Sequence, residues 1–240
     1  MKNFLNVTLH LKKKNRTMLT QSTIQQFFKP DKNTAVTKDE LSIISSTVAP
    51  PPSTTPSSST QPLLSNPQVI QWLKGDLSFL TDKDSEDAWG RAELKKLRPD
   101  LEVNQLWSGK LGELIAKELL VYTGRTIVSH KSKEGLNPDF ETGDAMWEVK
   151  TQTYFTTGTA GEKILGVPYK YRNVSTIYGK PLKILCLAGA EKECRDHYGN
   201  LEGAKMDSSS QNLLVFYKDT FKIEYIGATD LLGKELINVY

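Results

Sequence analysis

The sequence predicts a mixed α/β domain behind a disordered N-terminal tail. Short runs rich in β-branched or aromatic residues alternate with longer stretches of helical apolar spacing, a pattern typical of a sheet flanked by helices. Residues 45–61, SSTVAPPPSTTPSSSTQ, hold Ser, Thr or Pro at fourteen of seventeen positions. Such a segment buries too little apolar surface to offset the entropy lost on ordering. Residues 1–66 are therefore predicted to be the tail and residues 67–240 the folded domain.

The tail also carries the basic charge of the chain. Residues 1–66 contain eight Lys or Arg and three Asp or Glu, a balance of +5, and the whole chain is +3, which leaves −2 for residues 67–240. The centre of the excess, KKKNR at 12–16, is either a nuclear-import or polyanion-binding signal or a solvated charge run. Net charge therefore does not identify the domain as a nucleic-acid-binding protein.

Cysteine content and hydropathy exclude several other classes. Cys186 and Cys194 lack the second pair or the histidines of a structural zinc site or a disulfide framework. No apolar run reaches the roughly 18 residues that cross a bilayer. In residues 1–14 the charge follows the apolar stretch, the reverse of a secretory signal. We expect an intracellular protein.

One segment of the tail has the spacing of a docking helix. In QSTIQQFFKP, Gln21 is followed by Ile24, Phe27 and Phe28, so a helix would place the three apolar side chains on one side. The pattern resembles the PCNA-interacting motif, or PIP box, with which proteins bind sliding DNA clamps. The resemblance implies that Gln21 enters a polar pocket of the clamp and the other three an apolar one. The alternative is a short amphipathic helix that folds back on the domain.

The domain is predicted to open with helices and to continue with strands and helices in alternation. Helical spacing or caps predict helices at 67–80, 84–99, 108–124, 161–179 and 208–220. Short β-branched, aromatic or apolar runs predict strands at 125–130, 145–152, 183–190 and within 221–232. The continuous apolar run at 183–190 is typical of a central, buried strand.

Charged side chains crowd the second predicted strand. Alternate residues of a strand share a face, so Glu148 and Lys150 point one way and Val149 points the other. Asp139 lies nine residues before Glu148, which leaves room for a turn through Gly143 that brings it back alongside. Two carboxylates that meet in this way repel one another unless a cation lies between them.

This pattern predicts a metal site. Oxygen ligands from Asp139 and Glu148 suit a hard cation, Mg²⁺ or Mn²⁺, whose coordination is completed by water and a substrate phosphate. Such a metal polarises a phosphodiester, and Lys150 can position the attacking water or steady developing charge. Gln152 extends the same face and is predicted to touch the substrate. The alternative is a solvated sheet face, on which charged pairs are common.

The whole pattern resembles the PD-(D/E)xK nuclease superfamily. Pro138 and Asp139, followed after eight residues by Glu148, a hydrophobe and Lys150, match its motif. The resemblance implies a restriction-endonuclease-like mixed central sheet flanked by helices, with Asp139 and Glu148 on the metal and Lys150 assisting the attacking water. Many members add a carboxylate from the preceding helix, a place that Glu113 occupies. The alternative for Glu113 is an exposed helix glutamate.

The stretch from Glu148 to Glu193 resembles a group of type II restriction endonucleases. In these enzymes ExK is followed by a Thr/Gly-rich turn, a GEK-containing helix, a KY segment and YGKPL before the next strand. Here the stretch supplies hydroxyls, backbone N–H groups and cations that can position DNA phosphates. The predicted DNA-binding residues are Gly158, Thr159, Lys163, Lys170 and Arg172. The glycines also fit a plain turn, and GTAGEK lacks the spacing of a nucleotide-binding P-loop.

These observations predict a Mg²⁺-dependent, sequence-specific endonuclease of double-stranded DNA that acts as a homodimer. Its tail would tether it to PCNA, in the nucleus or in a viral replication compartment, because bacterial restriction enzymes need no clamp-binding peptide. Two alternatives stay open. One is a clamp-associated repair or recombination nuclease that reads DNA structure, and the other is a non-catalytic DNA-binding module recruited by the clamp.

Overall fold

The computed structural model describes residues 62–102, 107–156 and 160–237, all within one compact unit, Pro56–Tyr240. The predicted clamp-binding residues Gln21, Ile24, Phe27 and Phe28 lie outside the described residues, as do Gly158 and Thr159. The folded part begins before the predicted boundary at residue 67, because Leu63 and Leu64 are buried in a 3₁₀ turn, Leu63–Ser65. Two adjacent apolar residues are too few to show the periodicity of a helix or a strand.

Five strands form one mixed sheet. They are β1 (Ile127–Val128), β2 (Phe140–Thr142), β3 (Met146–Gln152), β4 (Leu182–Ala188) and β5 (Ile223–Gly227). The strands lie side by side in chain order, and β1, β2 and β3 pair antiparallel. The pairs β3 with β4 and β4 with β5 are parallel. β4 is therefore an inner strand, as its apolar run predicts.

Helices flank this sheet. They are α1 (Pro67–Lys74), α2 (Lys83–Leu97), α3 (Trp107–Tyr122), α4 (Ala160–Leu165), α5 (Val167–Tyr171), α6 (Val174–Tyr178), α7 (Gly189–Glu193), α8 (Ser208–Phe216) and α9 (Ala228–Ile237). The predicted α/β class, with a mixed sheet and flanking helices, is confirmed. None of the helices in the described ranges is long and apolar enough to cross a membrane.

Each face of the sheet has its own core. Trp147 and Val149 of β3 belong to a cluster that includes Trp72, Leu94, Leu111 and Ile115 of helices α1, α2 and α3. On the other face, Met146 of β3 clusters with Ile164, Val167, Tyr171 and Val174 of α4, α5 and α6, and with Ile184 and Cys186 of β4. β3 is therefore packed on both sides, which buries the Glu148 side chain and leaves that of Lys150 partly exposed.

Local chemistry explains where the first helices begin and end. The Asn66 side chain accepts from the N–H of Gln68 at the start of α1, and Gly75, at φ 76°, ends that helix six residues before the predicted end. α2 begins after Asp82, which forms a reciprocal capping box with Ser85. The short strand β2 was not predicted, since three residues carry too little alternation.

Candidate active site

The site forms where β2 and β3 part. Phe140 is the first residue of β2 and pairs with Trp147, whereas β3 continues to Gln152. Beyond that pair, β3 has no β2 residue opposite it. The backbone N–H of Val149 donates to the Asp139 side chain, at 2.7 Å from Oδ2. The hairpin closes through the predicted turn at Gly143. Asp139 is thus fixed beside β3 by a main-chain hydrogen bond.

Glu148 and Lys150 lie on the same face of β3, opposite Ile184 and Cys186 of β4. Lys150 Nζ donates to Glu148 Oε1 at 2.5 Å and to the carbonyl oxygen of Val149 at 3.1 Å. The Glu148 side chain is buried, and its second oxygen, Oε2, has no hydrogen-bond partner. The alternative of a solvated sheet face is therefore wrong for Glu148, which is only 5% exposed.

The electrostatics of Asp139 reflect this crowding. Burial, followed by repulsion from Glu148, raises the pKa of Asp139 to about 6. The N–H of Val149 and the charge of Lys150 act in the opposite direction, and Glu113 adds a smaller repulsion. A carboxyl with this pKa is mostly ionised at neutral pH, although its surroundings disfavour the negative charge.

Asp139 and Glu148 are the residues of this site that could hold a divalent cation. The unpartnered Oε2 of Glu148 and the raised pKa of Asp139 mark a place where a bound cation would relieve two unfavourable conditions at once. Within the described ranges no group of three or more His, Cys, Asp or Glu side chains is placed to hold a metal ion. Two carboxylates suffice for Mg²⁺ when water and substrate phosphate supply the other ligands.

A tyrosine that sequence analysis missed borders the carboxylates. Tyr171 of α5 is buried, and its hydroxyl accepts from Lys170 Nζ at 3.0 Å and donates to the carbonyl of Asn137 at 3.4 Å. Burial and then the nearby charge of Glu148 raise the pKa of the Tyr171 phenol well above its ordinary value. No motif links this tyrosine to Glu148, 23 residues earlier, and only the packing of α5 on β3 brings them together.

The loop before Asp139 is held from the same side. His130 Nε2 lies 2.9 Å from the carbonyl oxygen of Pro138, next to Asp139. Tyr178 of α6 donates to the carbonyl of Leu136 at 2.8 Å. These hydrogen bonds hold the backbone of the loop that leads to Asp139. His130 therefore supports the loop through the carbonyl of Pro138, the residue before Asp139.

The other predicted site residues differ in their exposure and in how they are connected to the group formed by Asp139, Glu148, Lys150 and Tyr171. Glu113 of α3 is half-exposed and pairs with Lys110 at 2.9 Å, so it neighbours Asp139 electrostatically and has an ion-pair partner of its own. Gln152 is buried at the end of β3. Lys163 is exposed on α4, and Arg172 is exposed with its guanidinium 4.7 Å from the Tyr169 ring centre. Of the predicted DNA-binding residues with described positions, Lys170 is the one joined to the group through Tyr171.

Comparison with known proteins adds no relative. No family model matches the chain, and neither the curated proteins nor the solved structures contain a match.

Proposed function

We propose that this protein is a Mg²⁺-dependent endonuclease of double-stranded DNA. The observation that carries the proposal is the meeting of Asp139, Glu148 and Lys150 where β2 and β3 part, with one buried oxygen of Glu148 unpartnered. Two carboxylates and a lysine side by side suit metal-assisted phosphodiester hydrolysis.

The residues of the site divide the work between them. Asp139 and Glu148 would hold the cation, which when bound polarises a phosphodiester and lowers the pKa of water. The Lys150 ammonium uses two of its three donors on Glu148 and on the Val149 carbonyl, so it keeps one N–H for the attacking water or the phosphate. Lys170, held by the Tyr171 hydroxyl, contributes positive charge at the border of the site.

The proposal extends to sequence specificity and to assembly. The resemblance of residues 148–193 to type II restriction endonucleases supports cleavage at a short sequence, and a symmetric sequence is most simply read by a homodimer. The PIP-box pattern at residues 21–28 supports a tether to a PCNA-type clamp. A long Ser/Thr/Pro-rich linker would then raise the local concentration of the nuclease at DNA.

Digestion of plasmid DNA tests this proposal. Purified protein is incubated with supercoiled plasmid and MgCl₂, beside the same mixture in EDTA. Discrete, reproducible fragments that disappear in EDTA are expected, and sequencing of their ends gives the recognition site. Nicking or a smear would favour the nuclease that reads DNA structure. Absence of cleavage on linear, supercoiled and branched DNA would contradict the enzyme and leave the DNA-binding module.

A further inference from the structure

Helix α8 carries an apolar surface that the rest of the domain leaves uncovered. None of the nine residues of this helix, all of which the structure describes, is buried. Leu213, Val215 and Phe216 are 46%, 57% and 49% exposed. Because an isolated helix shorter than about 12–15 residues is marginal in water, α8 needs packing on its apolar side. We call Asn212, Leu213, Val215 and Phe216 the α8 surface.

The periodicity of exposure shows that the α8 surface faces away from the domain. The half-buried residues of α8 and of the turn that follows it, Tyr217–Phe221, recur every three or four positions, at Ser210, Leu214, Tyr217 and Phe221. They form the stripe that faces the domain, and the α8 surface lies between their positions. Phe216 packs edge-on against Phe221 with ring centres 5.4 Å apart, so its ring is held in place although it is half exposed.

A groove lies beside the same helix. It separates α8 from β5, the strand at one end of the described sheet, and has a volume of about 290 Å³. Most of its lining is apolar or aromatic, from Leu214, Val215, Ile223 and Tyr225. A cavity of about 150 Å³ is enough to hold benzene. The groove can therefore admit an aromatic side chain.

The exposed phenylalanine and the groove complement one another. Because both belong to one surface of one chain, two copies can fill each other's groove about a two-fold axis, as an isologous interface requires. An antiparallel pair of α8 helices sets the serines of the first turn, Ser208–Ser210, opposite the aromatic end at Phe216. Small side chains then face large ones, whereas a parallel pair would set the two aromatic ends against each other.

We propose that the α8 surface and the groove beside it form the interface of a two-fold dimer of this chain, in which Phe216 of each copy fills the groove of the other. The inference deepens the homodimer of the proposed function by assigning its surface, and it rests on the proposed function only for what the dimer recognises. Association of the two copies can be measured without DNA.

The mass of the protein in solution tests the dimer. Sedimentation equilibrium of the full-length protein at micromolar concentration is expected to give twice the 26.9 kDa of one chain. Val215→Lys and Leu213→Lys each place a charge in the interface and should raise the dissociation constant at least about tenfold. Val121→Lys is the matched control, because Val121 on α3 is 57% exposed like Val215, and it should leave the mass unchanged. Circular dichroism verifies that each variant is folded.

Three results of this measurement would overturn the proposal. A wild-type monomer at micromolar concentration would leave the α8 surface to a different protein. A dimer that persists in both Val215→Lys and Leu213→Lys would place the interface elsewhere on the chain. Equal weakening by Val121→Lys would show that the effect is not specific to α8.

Cross-linking tests the antiparallel arrangement. Asn212 lies at the middle of α8 and on its outward side, so an antiparallel pair brings the two Asn212 positions next to each other. Asn212→Cys is expected to yield a covalent dimer with a short bismaleimide. The wild-type protein should yield none, because Cys186 and Cys194 are buried, and Val121→Cys serves as the control. An Asn212→Cys dimer that is not cross-linked would overturn the helix pair.

The same variants separate this interface from the proposed function. A dimer that depends on Val215 and Leu213, in a protein that cleaves no DNA, would support the interface and contradict the nuclease. Plasmid cleavage by a protein that sediments as a monomer would overturn the interface and leave the nuclease.

Discussion

At the scale of single residues, the site depends on a few polar atoms that the backbone holds in place. The N–H of Val149 fixes Asp139, and Lys150 bridges Glu148 and the carbonyl of Val149. The charge pattern predicted that these side chains meet, because alternate strand positions share a face. It did not predict Tyr171, whose approach to Glu148 requires the packing of α5 against the sheet.

The raised pKa of Asp139 predicts the pH dependence of cleavage. Metal binding needs the ionised carboxylate, and the pKa of Asp139 is about 6, so protonation below that pH removes a ligand. We expect the single-turnover cleavage rate at low MgCl₂ to fall about tenfold per pH unit below pH 6 and to level off above pH 7. Rates measured from pH 5 to 8 check this. A rate that stays constant from pH 5 to 7 would contradict the role of Asp139.

At the scale of elements, helix α3 lies so close to β3 that only glycine fits at their contact. A Cβ added at Gly112 would lie 1.8 Å from Oγ1 of Thr151, the residue of β3 between Lys150 and Gln152 in the sequence. The sequence shows the stripe of α3 that faces the core, but not which strand residue lies opposite Gly112. Which residue of β3 lies opposite Gly112 depends on how the helix packs on the sheet. The spacing of residues along the chain does not determine that contact.

Gly112→Ala is therefore expected to disturb both stability and cleavage. Overpacking at this contact should lower the free energy of unfolding by about 1–3 kcal/mol, and displacement of the end of β3 should slow cleavage. Urea unfolding and plasmid cleavage measure the two effects. Gly109→Ala on the same helix is the control, because no atom lies within 4 Å of its added Cβ. Equal behaviour of the two variants would refute the close contact.

A buried carboxylate joins α2 to the segment that follows β3. Glu86 is fully buried and accepts from the indole N–H of Trp72 at 2.7 Å, the N–H of Tyr154 at 3.0 Å and the N–H of Phe155 at 3.2 Å. The helical spacing of residues 84–99 places Glu86 on a helix but indicates no role for it, since a helix glutamate is usually exposed.

Removal of the Glu86 carboxylate should be costly. Glu86→Ala leaves three donors without an acceptor and is expected to lower the free energy of unfolding by on the order of 3 kcal/mol. Chemical denaturation in urea measures the change. Asp84→Ala, exposed on the first turn of the same helix, should change it by less than about 0.5 kcal/mol. A small effect of Glu86→Ala would show that the following segment is held by other contacts.

At the scale of the whole molecule, the α/β domain and the tail are proposed to have separate tasks. The fold class and the flanking helices were predicted from periodicity, and the inner position of β4 from its continuous apolar run. The start of the core at Leu63 and the strand β2 were missed, because both are too short to carry a period. The clamp-binding segment stays a prediction, since it lies outside the described residues.

A double substitution in the tail tests that separation. Phe27→Ala with Phe28→Ala removes the two aromatic side chains of the PIP-box pattern and is expected to abolish capture of the protein on immobilised PCNA. Cleavage of plasmid in the absence of a clamp should stay within twofold of wild type. Loss of that intrinsic activity would instead indicate that the segment packs on the domain, the alternative left open by its sequence.

The most direct measurement compares Glu148→Gln with wild type in Mg²⁺-dependent plasmid cleavage. The substitution keeps the shape of the side chain and removes its charge, and Glu162→Gln, an exposed glutamate on α4, serves as the control. Glu148→Gln is expected to cleave at least about 10³-fold more slowly, while its affinity for duplex DNA stays within threefold and Glu162→Gln resembles wild type. Cleavage by Glu148→Gln at the wild-type rate would contradict a metal-dependent site at Asp139 and Glu148.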